Sequence, residues 1–253
     1  MWRASPPDRR EVRLLKAARE RFDLFPLAIH VNYLVNLAAL DPVVRARSIA
    51  AFRGEIKRAV AIGAEYLVLH PGSWRDSSPE QGIAAFAEGL RDAARGLRTG
   101  GLMVLIENTA GAGCHLGGNF EELAQMRRLA GERTNPPVGF CLDTCHLLAA
   151  GFDITTQVGL RTTLRRAAEA LGLENVRVMH ANDSKGALGS HLDRHAHIGE
   201  GQIGSEAFHR ILTHPSLRAK PFILETPVDH PGDDRRNLDT LKALARRRAL
   251  SPR

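Results

Sequence analysis

Six short runs of apolar residues recur along the chain. Nearly continuous runs of this kind are typical of strands buried on both faces of a parallel sheet. The predicted strands are 27–32, 65–70, 102–107, 138–143, 176–181 and 221–225. Several segments between them carry apolar residues at the three- and four-residue spacing of amphipathic helices. The predicted helices include 11–22, 44–63, 79–100, 119–131 and 162–172.

A histidine or a carboxylate stands at the end of each predicted strand. These residues are His30, His70, Glu107, Asp143, His180 and Glu225. Their intervals run from 36 residues (Glu107 to Asp143) to 45 residues (His180 to Glu225), which suits one strand and one helix per unit. Repeated βα units predict a barrel or a doubly wound sheet, and both bind ligands at the carboxyl ends of their strands. Six polar ends meeting at one mouth favour an α/β fold of the TIM-type (β/α)8 kind, as one domain over residues 1–253 with about six of eight strands present.

Composition and charge restrict the compartment and the partners that we expect for this domain. The chain has 253 residues, of which 43% are hydrophobic and 25% charged, as in ordinary globular proteins. We find neither a run of about 20 apolar residues nor a signal peptide, and therefore expect a cytoplasmic protein without a membrane partner. The odd number of cysteines, Cys114, Cys141 and Cys145, argues against a disulfide framework, and we expect them to be small buried residues. A net charge of +7 favours an anionic partner without naming one.

Two further segments add residues that bind metals. Asp143 and His146 lie three residues apart in DTCH, where a turn after the strand can aim both side chains into one mouth. Asp193 and His195 alternate in HLDRHAHIGEG (191–201) and therefore point the same way on an extended segment. Carboxylates that end apolar strands are costly to bury unless a cation or another partner compensates them. Mixed histidine and carboxylate ligands suit Zn²⁺ or Mn²⁺, so we predict an open, catalytic metal site.

Longer motifs around these residues resemble the endonuclease IV family, the zinc-dependent apurinic/apyrimidinic endonucleases also called deoxyribonuclease IV. The similarity extends from Trp2 to about Asp239. It is carried by HPGSW (70–74), IENTAGAGCHLGG (106–118), GFCLDTCHLLAAGFD (139–153), MHANDSKGALGSHLDRHAHIGEGQIG (179–204) and ILET (223–226). The resemblance implies a barrel of the xylose-isomerase-like kind.

The resemblance also implies a trinuclear zinc site, in which manganese could replace part of the zinc. The first metal would be held by His30, His70 and Glu107. The second would share Glu107 as a bridge and add Asp143, His180 and Glu225, and the third would be held by His146, Asp193 and His195. Glu107 is the predicted catalytic residue, acting as a bridging ligand rather than as a base. Tyr33 and Leu34 would match the loop that inserts into DNA at the lesion.

The implied activity is base excision repair. The enzyme would be a metal-dependent phosphodiesterase that cuts damaged double-stranded DNA on the 5′ side of an abasic site, leaving a 3′-hydroxyl and a 5′-deoxyribose phosphate. A monomer is expected. The glycine-rich segment 111–118 lacks the G-x-G-x-x-G spacing of a dinucleotide loop, so no nucleotide cofactor is expected.

Two alternatives remain open, together with one departure from the family. A metal-dependent sugar isomerase or epimerase could use similar strand-end ligands but has no need for His146, Asp193 and His195. A non-catalytic nucleic-acid-binding remnant would gain nothing from nine metal-binding side chains. The family's chains normally carry about two more strands and a helix before the segment resembling WRASPPDRR (2–10). We therefore expect an N-terminal truncation, through a start codon placed too late or a genuine loss that leaves a barrel edge unpaired.

Overall fold

Parallel strands alternate with helices along almost the whole chain in a computed structural model that describes residues 5–75, 77–131 and 135–247. Trp2, where the resemblance begins, lies outside these residues. The chain divides into two compact units, Met1–Asn108 with Gly113–Cys141, and Thr109–Ala112 with Leu142–Arg253. The single domain over residues 1–253 stays a prediction.

The described residues of the first unit form four helices and the first strands. In chain order these are α1 (Arg9–Phe22), β1 (Ala28–His30), α2 (Pro42–Ile62), β2 (Tyr66–Leu69), α3 (Pro79–Ala94), β3 (Met103–Glu107) and α4 (Phe120–Gly131), followed by β4 (Val138–Asp143), which runs on into the second unit. Local signals start these helices: Asp8 and Asp41 cap α1 and α2, and a Ser78–Gln81 capping box with Pro79 at the first position starts α3. The apolar runs of β3 and β4 are almost wholly buried, as the predicted parallel pairing requires.

The second unit continues with α5 (Thr144–Ala149), α6 (Gln157–Leu171), a single 3₁₀ turn (Leu173–Asn175), β5 (Val176–His180), β6 (Asp183–Ser184), β7 (His195–Ala196), α7 (Ser205–Thr213), β8 (Phe222–Ile223) and α8 (Asp233–Arg246). Strands β5 and β8 pair in parallel, with His180 opposite Ile223. Strands β6 and β7 form a two-residue antiparallel ladder that was not among the predicted strands.

The strand register of the first unit brings the predicted strand ends together. β1, β2, β3 and β4 pair in parallel in that order. His30 lies opposite Val68, so His70 follows two residues beyond this pair. Leu69 lies opposite Ile106, so Glu107 ends β3 at the level of His70. The same edge of the sheet therefore presents two imidazoles and a carboxylate.

Some predicted boundaries are shifted. Helix α3 ends at Ala94 rather than at residue 100, and Gly96 beyond it takes φ 71°. Helix α6 begins at Gln157 rather than at residue 162, because the Thr156 hydroxyl accepts a hydrogen bond from Gly159 N and caps the earlier start. In the part of the chain that the structure describes, no helix is both long and apolar enough to cross a bilayer.

A buried arginine ties α1 to the start of the sheet. The Arg19 side chain is only 6% exposed and pairs with the Glu65 carboxylate at 2.6 Å. It also donates to the carbonyls of Gly63 (2.8 Å) and Leu24 (3.2 Å). Glu65 in turn accepts a hydrogen bond from Leu27 N just before β1. This network holds the chain on both sides of the loop that leads into β1.

We expect Arg19→Ala to lower the free energy of unfolding by about 1–3 kcal/mol, since it removes the donor of the part-buried hydrogen bonds to two carbonyls and to the Glu65 carboxylate. Arg13→Ala, an exposed position of the same helix, is the matched control and should be near neutral. Urea unfolding of both variants measures the difference. Equal midpoints for the two variants would contradict the anchoring role of Arg19.

Candidate metal centre

The first candidate cluster consists of His30, His70 and Glu107. Glu107 Oε2 lies 2.8 Å from His30 Nε2 and 3.4 Å from His70 Nε2, and its side chain is fully buried. The His30 and His70 rings meet edge to face, with their centroids 5.2 Å apart. The ligand atoms of the three residues lie within 4.8 Å of one another, close enough to share one ion.

The hydrogen bonds of His30 fit a metal ligand. Nδ1 lies 2.8 Å from the Val31 carbonyl, which can only accept, so the proton of the neutral ring belongs on Nδ1. The lone pair of Nε2 then faces a Glu107 oxygen, and two acceptors at 2.8 Å need a cation or a proton between them. Histidines that bind metals commonly donate their other ring N–H to a backbone carbonyl in this way.

The second cluster contains Asp143, His180 and Glu225 from the second unit. His180 Nδ1 lies 3.0 Å from Glu225 Oε2 and 4.0 Å from Asp143 Oδ2. Asp143 and His180 are almost completely buried. Buried carboxylates of this kind need donors or a cation to offset the loss of hydration.

The third cluster contains His146, Asp193 and His195. Asp193 Oδ1 lies 3.2 Å from His146 Nε2 and 3.4 Å from His195 Nε2. His195 repeats the pattern of His30, because its Nδ1 lies 2.9 Å from the Glu225 carbonyl. His195 Nε2 is buried and makes no hydrogen bond of normal geometry, which marks a polar atom that lacks its partner. Asp193 is half exposed and opens the cluster to the outside.

The electrostatics of this cluster are those of a cation site. The neighbouring imidazoles of His146 and His195 hold the pKa of Asp193 well below its usual range. Burial alone would lower the pKa of His195, but the Asp193 and Asp143 carboxylates and the Glu225 carbonyl outweigh it and raise the pKa to about 9. A bound dication would replace the proton that the metal-free ring retains.

The loop after β1 carries Tyr33 and Leu34. The Tyr33 side chain is 86% exposed, and Leu34 N donates to the side chain of Asn32. Both residues line a cleft of about 740 Å³ together with Ser73 and Arg75, among others. The Tyr33 ring is thus open to solvent, and a hydrogen bond from the backbone to Asn32 holds the loop next to it.

Several polar residues near the clusters were missed from the sequence. Asn182 is fully buried, donates to Asp143 Oδ2 and accepts from Glu225 N, so it joins two residues of the second cluster. The Thr144 hydroxyl accepts from Asn182 N. His146 lies on α5 rather than in the predicted turn, and its backbone N–H is capped by Asp143. The only available signal was that these residues stand inside the motifs DTCH and MHANDSK.

The cysteines do not pair: Cys114, Cys141 and Cys145 are all free. Cys145 Sγ lies within 4.8 Å of ligand atoms of Asp193 and His195. Burial raises the pKa of Cys145 to about 11, so the side chain is a protonated thiol at neutral pH. The prediction of buried cysteines holds for Cys141 and Cys145, whereas Cys114 is partly exposed.

Comparison with known proteins places this chain among the xylose isomerase-like barrels. The family described as "Xylose isomerase-like TIM barrel" matches residues 1–247, which confirms the predicted fold class. A D-tagatose 3-epimerase-like protein of known structure shares the fold, with a TM-score of 0.66 at 19% identity over 93% of this chain and 82% of that one.

Closer relatives define the family within this class. A probable endonuclease 4 of Solibacter usitatus is 71% identical over 245 residues, which cover 97% of this chain and 84% of the relative. The crystal structure of endonuclease IV from Thermus thermophilus gives a TM-score of 0.83 at 38% identity, over 96% of this chain and 84% of that one. The chain belongs to the endonuclease 4 family. Both the family and the class of enzyme predicted from the motifs are confirmed.

The titration of His195 predicts how the stability of the metal-free protein depends on pH. Its folded pKa of about 9 lies above the ordinary value of 6.5, so its stabilising contribution is complete below pH 6.5 and is lost as the pH rises through 9. Between pH 6.5 and 9 we expect the free energy of unfolding to fall by roughly 2 kcal/mol more in the metal-free wild type than in His195→Gln. Chelator-treated protein unfolded in urea at several pH values measures this.

The control for this experiment is His230→Gln at an exposed position. This variant should keep the pH dependence of the wild type. The interpretation fails if His195→Gln and His230→Gln behave alike.

Proposed function

We propose that this chain is a DNA repair endonuclease that hydrolyses the phosphodiester on the 5′ side of an abasic nucleotide with three zinc ions. The observation that carries the proposal is the third cluster, where two imidazole nitrogens converge on Asp193 Oδ1 and the buried His195 Nε2 makes no hydrogen bond of normal geometry. The substrate class, DNA, is inferred from the membership of this chain in the endonuclease 4 family.

The donor sets fit zinc. Each cluster combines histidine nitrogens with carboxylate oxygens, the mixture that suits Zn²⁺ or Mn²⁺, and the described clusters contain no set of thiolates. His30, His70 and Glu107 would hold one ion, Asp143, His180 and Glu225 a second, and His146, Asp193 and His195 a third. A role of Glu107 as a bridge between the first two ions rests on the family resemblance alone.

Bound zinc would supply Lewis acidity and a nucleophilic hydroxide at neutral pH. The chain's own residues compensate charge and orient the ligand rings. The buried Glu107 carboxylate offsets positive charge at the site, and Nδ1 of His30 and of His195 stays bonded to a backbone carbonyl, which fixes each ring. In the net reaction water adds across the bond between phosphorus and O3′, O3′ leaves as a hydroxyl, and the phosphate stays on the abasic deoxyribose.

Substrate recognition is assigned to the loop after β1 and to the charge of the chain. The exposed ring of Tyr33, with Leu34 beside it, offers a flat apolar surface for the gap that a missing base leaves in the stack. An abasic nucleotide costs less to unstack than an intact one, which contributes to selectivity. The net charge of +7 favours binding to the phosphate backbone of DNA. We propose further that the protein acts on duplex DNA as a monomer in the cytoplasm.

The sugar isomerase or epimerase alternative is not favoured. The epimerase-like structure shares the barrel at 19% identity, which concerns the fold alone. A one-metal sugar enzyme has no use for His146, Asp193 and His195 held around one open position.

Metal content tests the number of sites. We expect about three zinc ions per folded chain by elemental analysis and about two in Asp193→Asn, since this carboxylate faces both imidazoles of the third cluster. Asp229→Asn, an exposed carboxylate, is the matched control and should retain three. One ion or none in the wild type would refute the trinuclear site and favour the sugar-enzyme alternative.

Incision of an abasic duplex tests the reaction. We expect a single zinc-dependent cut on the 5′ side of the abasic nucleotide, with a 3′-end that a polymerase extends. Glu107→Gln should reduce the rate more than about 100-fold. Even the removal of a residue that only hydrogen-bonds to a metal ligand typically lowers metal affinity or activity 10–100-fold, and Glu107 is itself a proposed ligand. Glu20→Gln, at an exposed site, should leave the rate unchanged. A cut that persists in chelator, or an unextendable 3′-end, would contradict the proposal.

A further inference from the structure

The Asp183 carboxylate accepts five backbone hydrogen bonds while its side chain is completely buried. Oδ1 accepts from Ser184 N (2.8 Å) and Ile203 N (2.9 Å). Oδ2 accepts from Gly199 N (2.9 Å), Gly201 N (3.1 Å) and Gly204 N (3.2 Å). Four of the five donors belong to the segment 199–204, which therefore wraps around this single side chain.

The glycines of this segment are required by the wrapping. A Cβ on Gly201 would lie 2.5 Å from Asp183 Oδ1 and 2.5 Å from the Ser184 carbonyl, closer than real contacts allow. Gly199 and Gly204 take φ values of 85° and 77°, which other residues rarely adopt. The motif HIGEGQIG is thus shaped to bring backbone N–H groups onto a carboxylate.

The same anchor fixes the strand that carries His195. Asp183 starts β6 and lies opposite Ala196 in β7, while Ser184 lies opposite His195. The ladder is only two residues long and has few hydrogen bonds of its own. Its position therefore depends on how the segment that follows β7 is held. That segment is held by Asp183, and Gln202 N also donates to the Ser184 carbonyl.

We propose that Asp183 is a positioning residue that holds the 195–204 segment so that His195 and Asp193 present their ligand atoms to the third metal. The proposal rests on the proposed function, because it assigns those two residues to a metal. Asp183 does not bind the metal, since both of its oxygens are occupied by backbone N–H groups. The loss of such an outer partner typically weakens metal binding 10–100-fold.

The test is Asp183→Asn, which keeps the size of the side chain but turns an amide N–H₂ toward backbone donors. We expect zinc affinity at one of the three sites to fall 10–100-fold, measured by chelator competition, with the other two unchanged. Excess zinc should restore incision. The variant should therefore need a higher zinc concentration for activity, while its kcat at saturating zinc stays that of the wild type. In metal-free protein, hydrogen exchange of the 199–204 amides should become faster.

Asp153→Asn is the matched control. Its carboxylate also collects several hydrogen bonds, from Thr155 and Thr156, but these hold the start of α6. This variant should lose stability and keep all three zinc affinities. If Asp183→Asn fails to fold, Gly201→Ala replaces it, because the added methyl group disturbs the same hydrogen bonds while Asp183 is retained.

The outcomes separate this proposal from the function on which it rests. A wild type without a third zinc would overturn both. A wild type with three zinc ions, combined with unchanged zinc affinities in Asp183→Asn or in the folded Gly201→Ala, would overturn the role of Asp183 alone. Unchanged exchange of the 199–204 amides in the metal-free variant would also overturn it, independently of any metal.

Discussion

Full burial of carboxylates at the ends of strands is the constraint on which each unit depends. Glu107 closes β3 and Asp143 closes β4, and neither side chain is exposed to solvent. An isolated carboxylate in such a place would cost several kcal/mol in lost hydration. Each is instead surrounded by its own donors: Glu107 faces two imidazoles, and Asp143 accepts from the His146 backbone and the Asn182 amide. The 2.8 Å contact between His30 Nε2 and Glu107 Oε2 needs either a proton or a cation between the two atoms, so a metal ion can take the place of the proton.

Much of the fold and of the candidate site could be predicted because buried parallel strands have a simple sequence pattern. A strand buried on both faces is a short, continuous apolar run, and its end is marked by the first polar residue. The six parallel strands of the described residues therefore lie inside the predicted runs, and His30, Glu107, Asp143 and His180 are terminal strand residues. His70 follows its strand directly, whereas Glu225 stands two residues beyond β8, which is reduced to Phe222–Ile223. The family motifs, rather than periodicity, pointed to Tyr33 and Leu34.

The elements that were missed share a physical reason. Strands β6 and β7 contain two residues each, too few to produce any alternation of apolar and polar positions. Helix α5 has six residues, all buried, so it lacks the polar face that reveals longer helices. Asn182 and Asp183 resemble ordinary loop residues, because the groups that satisfy them lie up to 43 residues away in the chain and, apart from the Asp143 carboxylate, are backbone N–H groups. A sequence pattern records which side chains are apolar, but it does not record which backbone N–H groups will converge.

The contrast between Asp183 and Asp193 shows how surroundings decide what an aspartate can do. Both lie within one motif, and ten residues separate them. Asp183 is fully buried and its oxygens are filled by N–H groups, so no lone pair remains for an ion. Asp193 is half exposed and faces two imidazole nitrogens whose proton a metal can replace. The first is suited to hold the backbone and the second to bind a cation, and the second arrangement depends on the first because β7 joins them.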